Sequence, residues 1–427
     1  MSGTSSNATA VVMGGSIAGL ATAGALAPFF DRVVVLEQDP SAESMMSGKG
    51  VPQAAHIHYL PEGGCGAFES LFPGFTAKLA AMGARVADFQ RDVDYLVGGV
   101  WLKKHASGNK TYMQRRSVTD AALRAAVLET HPNIDVVWGA RVRRVDGTRV
   151  TYAVAGDAAL ELAADFLVDA TGRSSAFARA YATSTSETMV KLMYSTMEFE
   201  LDPATAAAPD VVQGIGMFPT RDDPRGAALM RLPNNRVLAM LIGYHGGRPT
   251  DAKTVESWMA TLASLPHSRV YDVVKSAKPV WDKPKPFTFD NMYRRRFANL
   301  PPNVLVVGDA AASLDPLFGQ GMTKAALEAV AIRAAFARKR TCAQSDLAHL
   351  ASVHHVIDCV EVSRHAGTTG YVPPLAWVAL KFVDMTFKAA SVDTVVYDEL
   401  MHAFHFTKHP FAMVLTVPRI LFRAAFG

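Results

Sequence analysis

The sequence predicts an α/β protein with a helical C-terminal region. Near the N-terminus a short apolar strand runs through a glycine turn into a helix of small residues. A second strand, turn and helix of the same kind begins at Asn303. From Thr341 onward the pattern turns helical, while stretches such as "VKLMYSTMEFEL", "AALMRLP" and "RVLAMLIGYH" have the β-branched and apolar content of sheet strands.

At 427 residues the chain is long enough for two domains, or for one domain with a large insertion. Its 43 basic and 39 acidic residues leave a net charge of +4 spread along the chain, so no nucleic-acid partner is implied. Cys65, Cys342 and Cys359 stand far apart in no metal or redox spacing, which fits a reducing, cytoplasmic setting and argues against a disulfide framework. Met1 to Phe30 has no charged side chain, yet it lacks the basic start of a signal peptide. Its glycines also make it a poor lipid-facing helix, so no targeting segment is expected.

"TAVVMGGSIAGLATAGALA" reads as a buried strand over Ala10 to Met13, a tight turn and a helix. Gly14, Gly15, Ser16, Ile17, Ala18 and Gly19 form a dinucleotide fingerprint with serine at the middle glycine position. The turn needs Gly14, the backbone must come close to a pyrophosphate, Gly19 lets helix and strand pack, and the helix N-terminus holds the anion. The second strand, "RVVVLEQD", ends in Glu37, roughly 20 residues on, where an acid meets a ribose hydroxyl. A ribose 2′-phosphate would face Glu37 with like charge, which favours FAD or NAD over NADP.

In "NVLVVGDAAASLDPLFGQGMTKAALEA", the strand Asn303 to Val307 runs into Gly308 and Asp309, then into the Asp315–Pro316 turn. Gly319, Gln320 and Gly321 open a helix from Met322, whose N-terminus favours negative charge on a cofactor. Taken alone, such a segment is equally a glycine-rich connection of any α/β domain.

With "DATGR" (Asp169 to Arg173) between them, these motifs resemble the FAD-dependent monooxygenases of the p-hydroxybenzoate hydroxylase fold. "YRRRFANLPPNVLVVGDAAASLDPLFGQGMTKAALEA" and "GVPQAAHIHYL" look like the squalene-epoxidase-like branch, which includes bacterial polyether epoxidases. The likeness spans nearly the whole chain in the correct order. It implies a discontinuous Rossmann-like FAD-binding domain (1–75, 103–182 and 290–340), an inserted β-sheet substrate domain (76–102 and 183–289) and a helical region (341–427).

The resemblance also implies roles. Asp309 would bond the ribityl chain, Pro316 would lie by the flavin ring, and Gly319 to Met322 would set a helix N-terminus at the pyrimidine end. Arg116 would reach the diphosphate, with Arg115 as its rival; Val142 would meet the adenine by its backbone, and Asp169 would serve FAD and the nicotinamide donor. Val51 and Pro52 would pass near the isoalloxazine. Ser16 departs from the middle glycine, and Lys49 stands where the branch often has arginine, a less equivalent fork for a diphosphate.

The implied chemistry is that of a monooxygenase, an epoxidase or hydroxylase: reduced FAD captures O2 as a C4a-hydroperoxide and passes oxygen to an apolar polyketide- or terpenoid-like molecule. No second G-x-G-x-x-G follows a strand, because "GIGMFP" runs into Pro219. NADH or NADPH would therefore dock on the FAD domain, or a flavin reductase would replace it. Flavin halogenases would show W-x-W-x-I-P and alkene reductases of the geranylgeranyl type Y-x-W-x-F-P; neither stretch occurs. A cyclase that keeps FAD as a structural element is a further alternative.

His56 and His58, one residue apart, would point the same way in an extended segment. No His, Cys or carboxylate cluster completes a metal site around them. They read either as histidines that hold the loop or as imidazoles facing a pocket, with His58 as a candidate proton donor. In "PLAWVALKFVDMTFKAA", Lys381, Asp384 and Lys388 share one face, with Trp377, Leu380 and Phe387 on the other. The end, "PFAMVLTVPRILFRAAF", reads as helices capping the substrate cavity or as a basic amphipathic segment in peripheral contact with a membrane.

Overall fold

The computed structural model describes residues 8–46, 52–154, 158–208 and 212–426. Its nucleotide layer is a five-stranded parallel sheet in the order Val304–Val306, Phe166–Asp169, Thr9–Met13, Arg32–Glu37 and Ile134–Trp138. Side chains alternate across it, so the two faces build two cores. Ala10, Val12, Val33 and Val35 pack under the helices Ile17–Leu26, Arg116–Thr130 and Gly321–Lys339. Val11, Met13, Val34 and Leu36 pack with Val150 of a small antiparallel sheet formed by Arg141–Asp146, Arg149–Ala153 and Leu160–Ala163. Burial on both faces is why these strands read as continuous apolar runs.

A ten-stranded sheet stands beside this layer, centred on the 17-residue strand Ser184–Glu200 between Lys285–Arg296 and Arg236–Tyr244. Met197, Phe199, Ala239 and Leu241 face the helices Val255–Ala263 and Arg269–Val274. Leu192, Tyr194, Met240 and Ile242 occupy the opposite face, toward the nucleotide layer. Arg85–Asp88, expected with the substrate domain, pairs instead with Lys110–Gln114, which also holds the short strand His58–Leu60.

The C-terminal helices Gln344–Val362, Ala376–Ala390, Thr394–Phe404 and Val417–Phe426 back these walls. Ala389, Val396, Tyr397, Met401 and Ile420 pack behind Phe89 and Tyr95, and Cys359 and Val362 pack behind Tyr194. Trp377 corrects the expected helix face: it is exposed, with the Lys381 ammonium 5.2 Å from its ring. Arg419 and Arg423 both turn inward to the buried carboxylate of Asp393, each at 3.3 Å. Phe411, Val414, Leu415, Leu421 and Phe422 remain exposed. Among the described residues no helix is long and apolar enough to cross a membrane.

Candidate active site

The first turn is shaped by contact. Gly14 holds φ at +98°, and a Cβ on it would stand 2.5 Å from the Ala170 carbonyl oxygen. A Cβ on Gly19 would stand 1.8 Å from the Gly14 carbonyl oxygen, so strand and helix meet only because both are bare. Gly15 N–H donates to Glu37 Oε2 at 2.5 Å, and Asp39 N–H donates to Oε1 at 2.8 Å. Ser16 begins the helix without a side-chain cap, leaving the first-turn N–H groups with no intrahelical partner.

Arg115 and Arg116 go separate ways. Arg115 pairs at 2.6 Å with Glu198 of the large sheet, which also holds Arg236. Arg116, buried, is fixed by Asp120 at 3.0 Å and donates to Ser16 Oγ at 3.3 Å.

At the second turn, Gly308 N–H donates to Glu328 Oε2 and its carbonyl accepts from Lys324 Nζ, both at 2.8 Å. Lys324 and Glu328 form a buried ion pair of 3.0 Å one helical turn apart. This clasp sets the peptide that presents Asp309, and nothing in the sequence marks the pair as buried. Asp315 accepts from Leu317 N–H at 2.9 Å and from the Tyr244 hydroxyl at 2.8 Å, fixing the turn at Pro316. Burial pushes the Asp315 carboxyl up to about 6. The helix from Gly321 starts with no side-chain cap, and a Cβ on Gly321 would meet open space.

Two cavities meet between these turns. One, of about 280 Å³, is walled by Pro316, Gly319, Gly321 and Met322 on one side and by Tyr95, Tyr194, Phe218, Met240 and Phe289 on the other. The second, of about 910 Å³, runs past Gly14, Glu37 and Val142. Ser16, Gln53, Arg116, Ala170, Gly172 and Asp309 line both, so they form one groove.

Of the residues expected at a cofactor, Gly14, Ser16, Ile17, Ala18, Glu37, Arg116, Val142, Gly308, Asp309, Pro316, Gly319, Gly321 and Met322 line this groove. Gly15 and Gly19 act within the protein as described. Asp169 does not reach the groove: fully buried, its carboxylate accepts from Thr171 N–H, Thr171 Oγ1 and Ser175 Oγ, and so shapes the turn that carries Gly172. Gln320 also points away, donating to the Phe404 carbonyl at 3.2 Å. Lys49 and Val51 lie outside the described residues, as does the Pro52 side chain.

His56 and His58 both line the smaller cavity. His56 Nδ1 is 2.7 Å from Thr196 Oγ1, and His58 Nδ1 is 3.0 Å from the His56 carbonyl oxygen. Burial, then Lys285, holds His56 at about 4; burial, then Arg116, holds His58 at about 3. Both imidazoles are therefore neutral near pH 7, and His58 has no imidazolium proton to give there. Among the described residues no group of three or more His, Cys, Asp or Glu could hold a metal ion. The C-terminal helices, expected to cap the cavity, contribute no described lining residue and support it from behind.

Comparison with known proteins decides the family. The model of a family described as an FAD binding domain matches residues 7–349. The chain belongs to this FAD-binding family. The flavoprotein is 28% identical over 408 residues to Protein Rv3254 of Mycobacterium tuberculosis (strain ATCC 25618 / H37Rv), covering 90% of this chain and 81% of the relative. Its fold matches that of a flavoprotein/dehydrogenase from Cytophaga hutchinsonii, with TM-score 0.67 and 14% identity over 97% of this chain and 96% of that one. It matches 2-methyl-3-hydroxypyridine-5-carboxylic acid oxygenase with TM-score 0.60 and 17% identity, over 83% and 88% of the two chains. The flavin-dependent brominase Bmp2 matches with TM-score 0.59 and 14% identity, over 98% and 93%. The flavoprotein thus has the p-hydroxybenzoate hydroxylase type of fold.

The residues present fit FAD. The groove offers a ribose-side carboxylate at Glu37, an uncapped helix start with Arg116 for the diphosphate, and a second uncapped helix start at Gly321 with open space before it.

Proposed function

We propose that this FAD enzyme is a monooxygenase, an epoxidase or hydroxylase, that places one oxygen atom of O2 on an apolar, polyketide- or terpenoid-like small molecule. The observation that carries the reading is the cavity of about 280 Å³, which joins the Pro316–Met322 turn directly to a wall of aromatic and methionine side chains. Bound FAD, reduced by NADH or NADPH directly or through a reductase, supplies the activation of O2. The chain's own groups do the rest. The N-terminus of the Gly321–Lys339 helix favours negative charge at the turn, and Arg116 balances the diphosphate. The apolar wall excludes water, so that reactive oxygen meets substrate before solvent. "GIGMFP" supplies part of that wall: Gly214, Ile215, Gly216 and Phe218 line it, within and just beyond the strand Gly214–Met217.

Protein loaded with FAD and given NADH or NADPH, O2 and a panel of polyenes and phenols tests the reading. A product heavier by one oxygen supports it. Donor consumption with a saturated product, or a halogenated product when bromide is supplied, overturns it.

A further inference from the structure

Resting on that reading, we propose that the substrate carries one neutral oxygen function, a carbonyl or hydroxyl, received by the Tyr194 hydroxyl with His56 Nε2 beside it. Tyr194 lines the cavity, yet is only 5% exposed, and its hydroxyl has no hydrogen-bond partner among the described residues. An orphaned buried hydroxyl is costly, and the cost is removed when a ligand oxygen accepts from it.

His56 stands next to it, its ring 5.8 Å from that of Tyr194 and edge-on. Thr196 occupies Nδ1, and Nε2 has no partner among the described residues. Phe287 packs against both rings, at 5.7 Å from His56 and 5.8 Å from Tyr194, so neither side chain turns freely.

Neutrality follows from the charges at hand. Arg116 is the one cation among the described residues lining this cavity, and Asp120 and Ser16 hold it at the nucleotide end. His56 is neutral near pH 7, and burial together with the Asp315 carboxyl keeps Tyr194 a neutral donor. A carboxylate placed here would find one hydroxyl and no lining cation to pair with, since the Lys285 ammonium, although felt at His56, does not line the cavity.

Three probes with one ring body separate the possibilities: 2-naphthol, naphthalene and 2-naphthoate, titrated into FAD-loaded protein and read by flavin absorbance and tryptophan fluorescence. The wild type is expected to bind 2-naphthol about tenfold more tightly than either of the others, although naphthalene is the more hydrophobic. Tyr194→Phe is expected to erase that preference, with naphthalene affinity and flavin content unchanged and a melting temperature that is equal or higher, because the unpaired hydroxyl is gone. Naphthalene or 2-naphthoate binding as tightly as 2-naphthol overturns the site, as does an unchanged preference in Tyr194→Phe or no saturable 2-naphthol binding. The wild-type ranking stands as a test even where the variant fails to fold. The monooxygenase reading fails separately, through the absence of an oxygenated product.

Discussion

Lys324 and Glu328 clasp one residue from both sides: the ammonium donates to the Gly308 carbonyl and the carboxylate accepts the Gly308 N–H, each at 2.8 Å. Gly308 holds φ at +59° there, and a Cβ would lie 2.7 Å from that of Ala18. The clasp ties the helix Gly321–Lys339 to the strand end that carries Asp309, so the Gly308–Asp309 segment and the helix start at Gly321 share one fastening.

Lys324→Met should therefore cost about 3–5 kcal/mol, because it leaves the Glu328 charge buried and unpaired. Purified protein is expected to lose most of its flavin absorbance at neutral pH and to unfold at lower denaturant. Lys324→Met with Glu328→Leu should recover part of that stability, but not the position of Gly308. Full flavin content in the single variant would remove the clasp from the cofactor site.

Gly19→Ala places a methyl group 1.8 Å from the Gly14 carbonyl oxygen, a backbone atom that cannot swing aside. A loss of about 3 kcal/mol or outright insolubility is expected, read by denaturant midpoint. Gly66→Ala, in a helix with nothing within 4 Å of the new carbon, should be neutral or stabilising by up to about 1 kcal/mol.

The two neighbouring arginines should separate cleanly. Arg116→Ala is expected to weaken FAD binding by about 10–100-fold, the loss of one charged hydrogen bond. Arg115→Ala should leave FAD affinity within about twofold, since Arg236 still holds Glu198. Retitration of apoprotein with FAD measures both, and equal losses would contradict the assignment.

Acid should destabilise the fold. Burial holds His56, His354, His355 and His365 at about 4, and His58 and His405 at about 3. Unfolded histidines titrate near 6.5, so below that pH the unfolded chain takes up protons that the folded one refuses. Their stabilisation is complete above about 6.5 and is lost as pH falls toward 4, at about 1.4 kcal/mol per pH unit for each. Asp315, raised to about 6, acts in the opposite sense: its contribution is complete below about 3.9 and lost as pH rises through 6. Asp358 and Glu361 are raised as well and add to it. Six histidines outweigh three carboxyls, so the melting temperature should fall between pH 6.5 and 4.5. A flat or rising profile would contradict the buried, neutral state of these imidazoles.

What could be read from the sequence was local. The two strand–turn–helix motifs declare themselves over about 15 residues, because glycine spacing and apolar runs are short-range patterns. The cavity wall is not local: His56 meets Thr196 across 140 residues, and Tyr194 lies in a strand whose lining role depends on register with Arg236–Tyr244. Lys324 and Glu328 look like an ordinary exposed helical pair until the fold buries them. Asp169 differs in the other direction. An acid in a known motif reads as a ligand, but in the fold its oxygens accept from Thr171 and Ser175 and it does not line the groove.

Incorporation of labelled oxygen tests the proposed chemistry most directly. FAD-loaded protein, NADH or NADPH and 18O2 are incubated with alkenes and phenols that bind the cavity, and the products are weighed by mass spectrometry. The proposed function predicts a product carrying a single 18O atom, formed only in the presence of donor and lost together with flavin in Lys324→Met. A product without 18O that is saturated, cyclised or halogenated would contradict it.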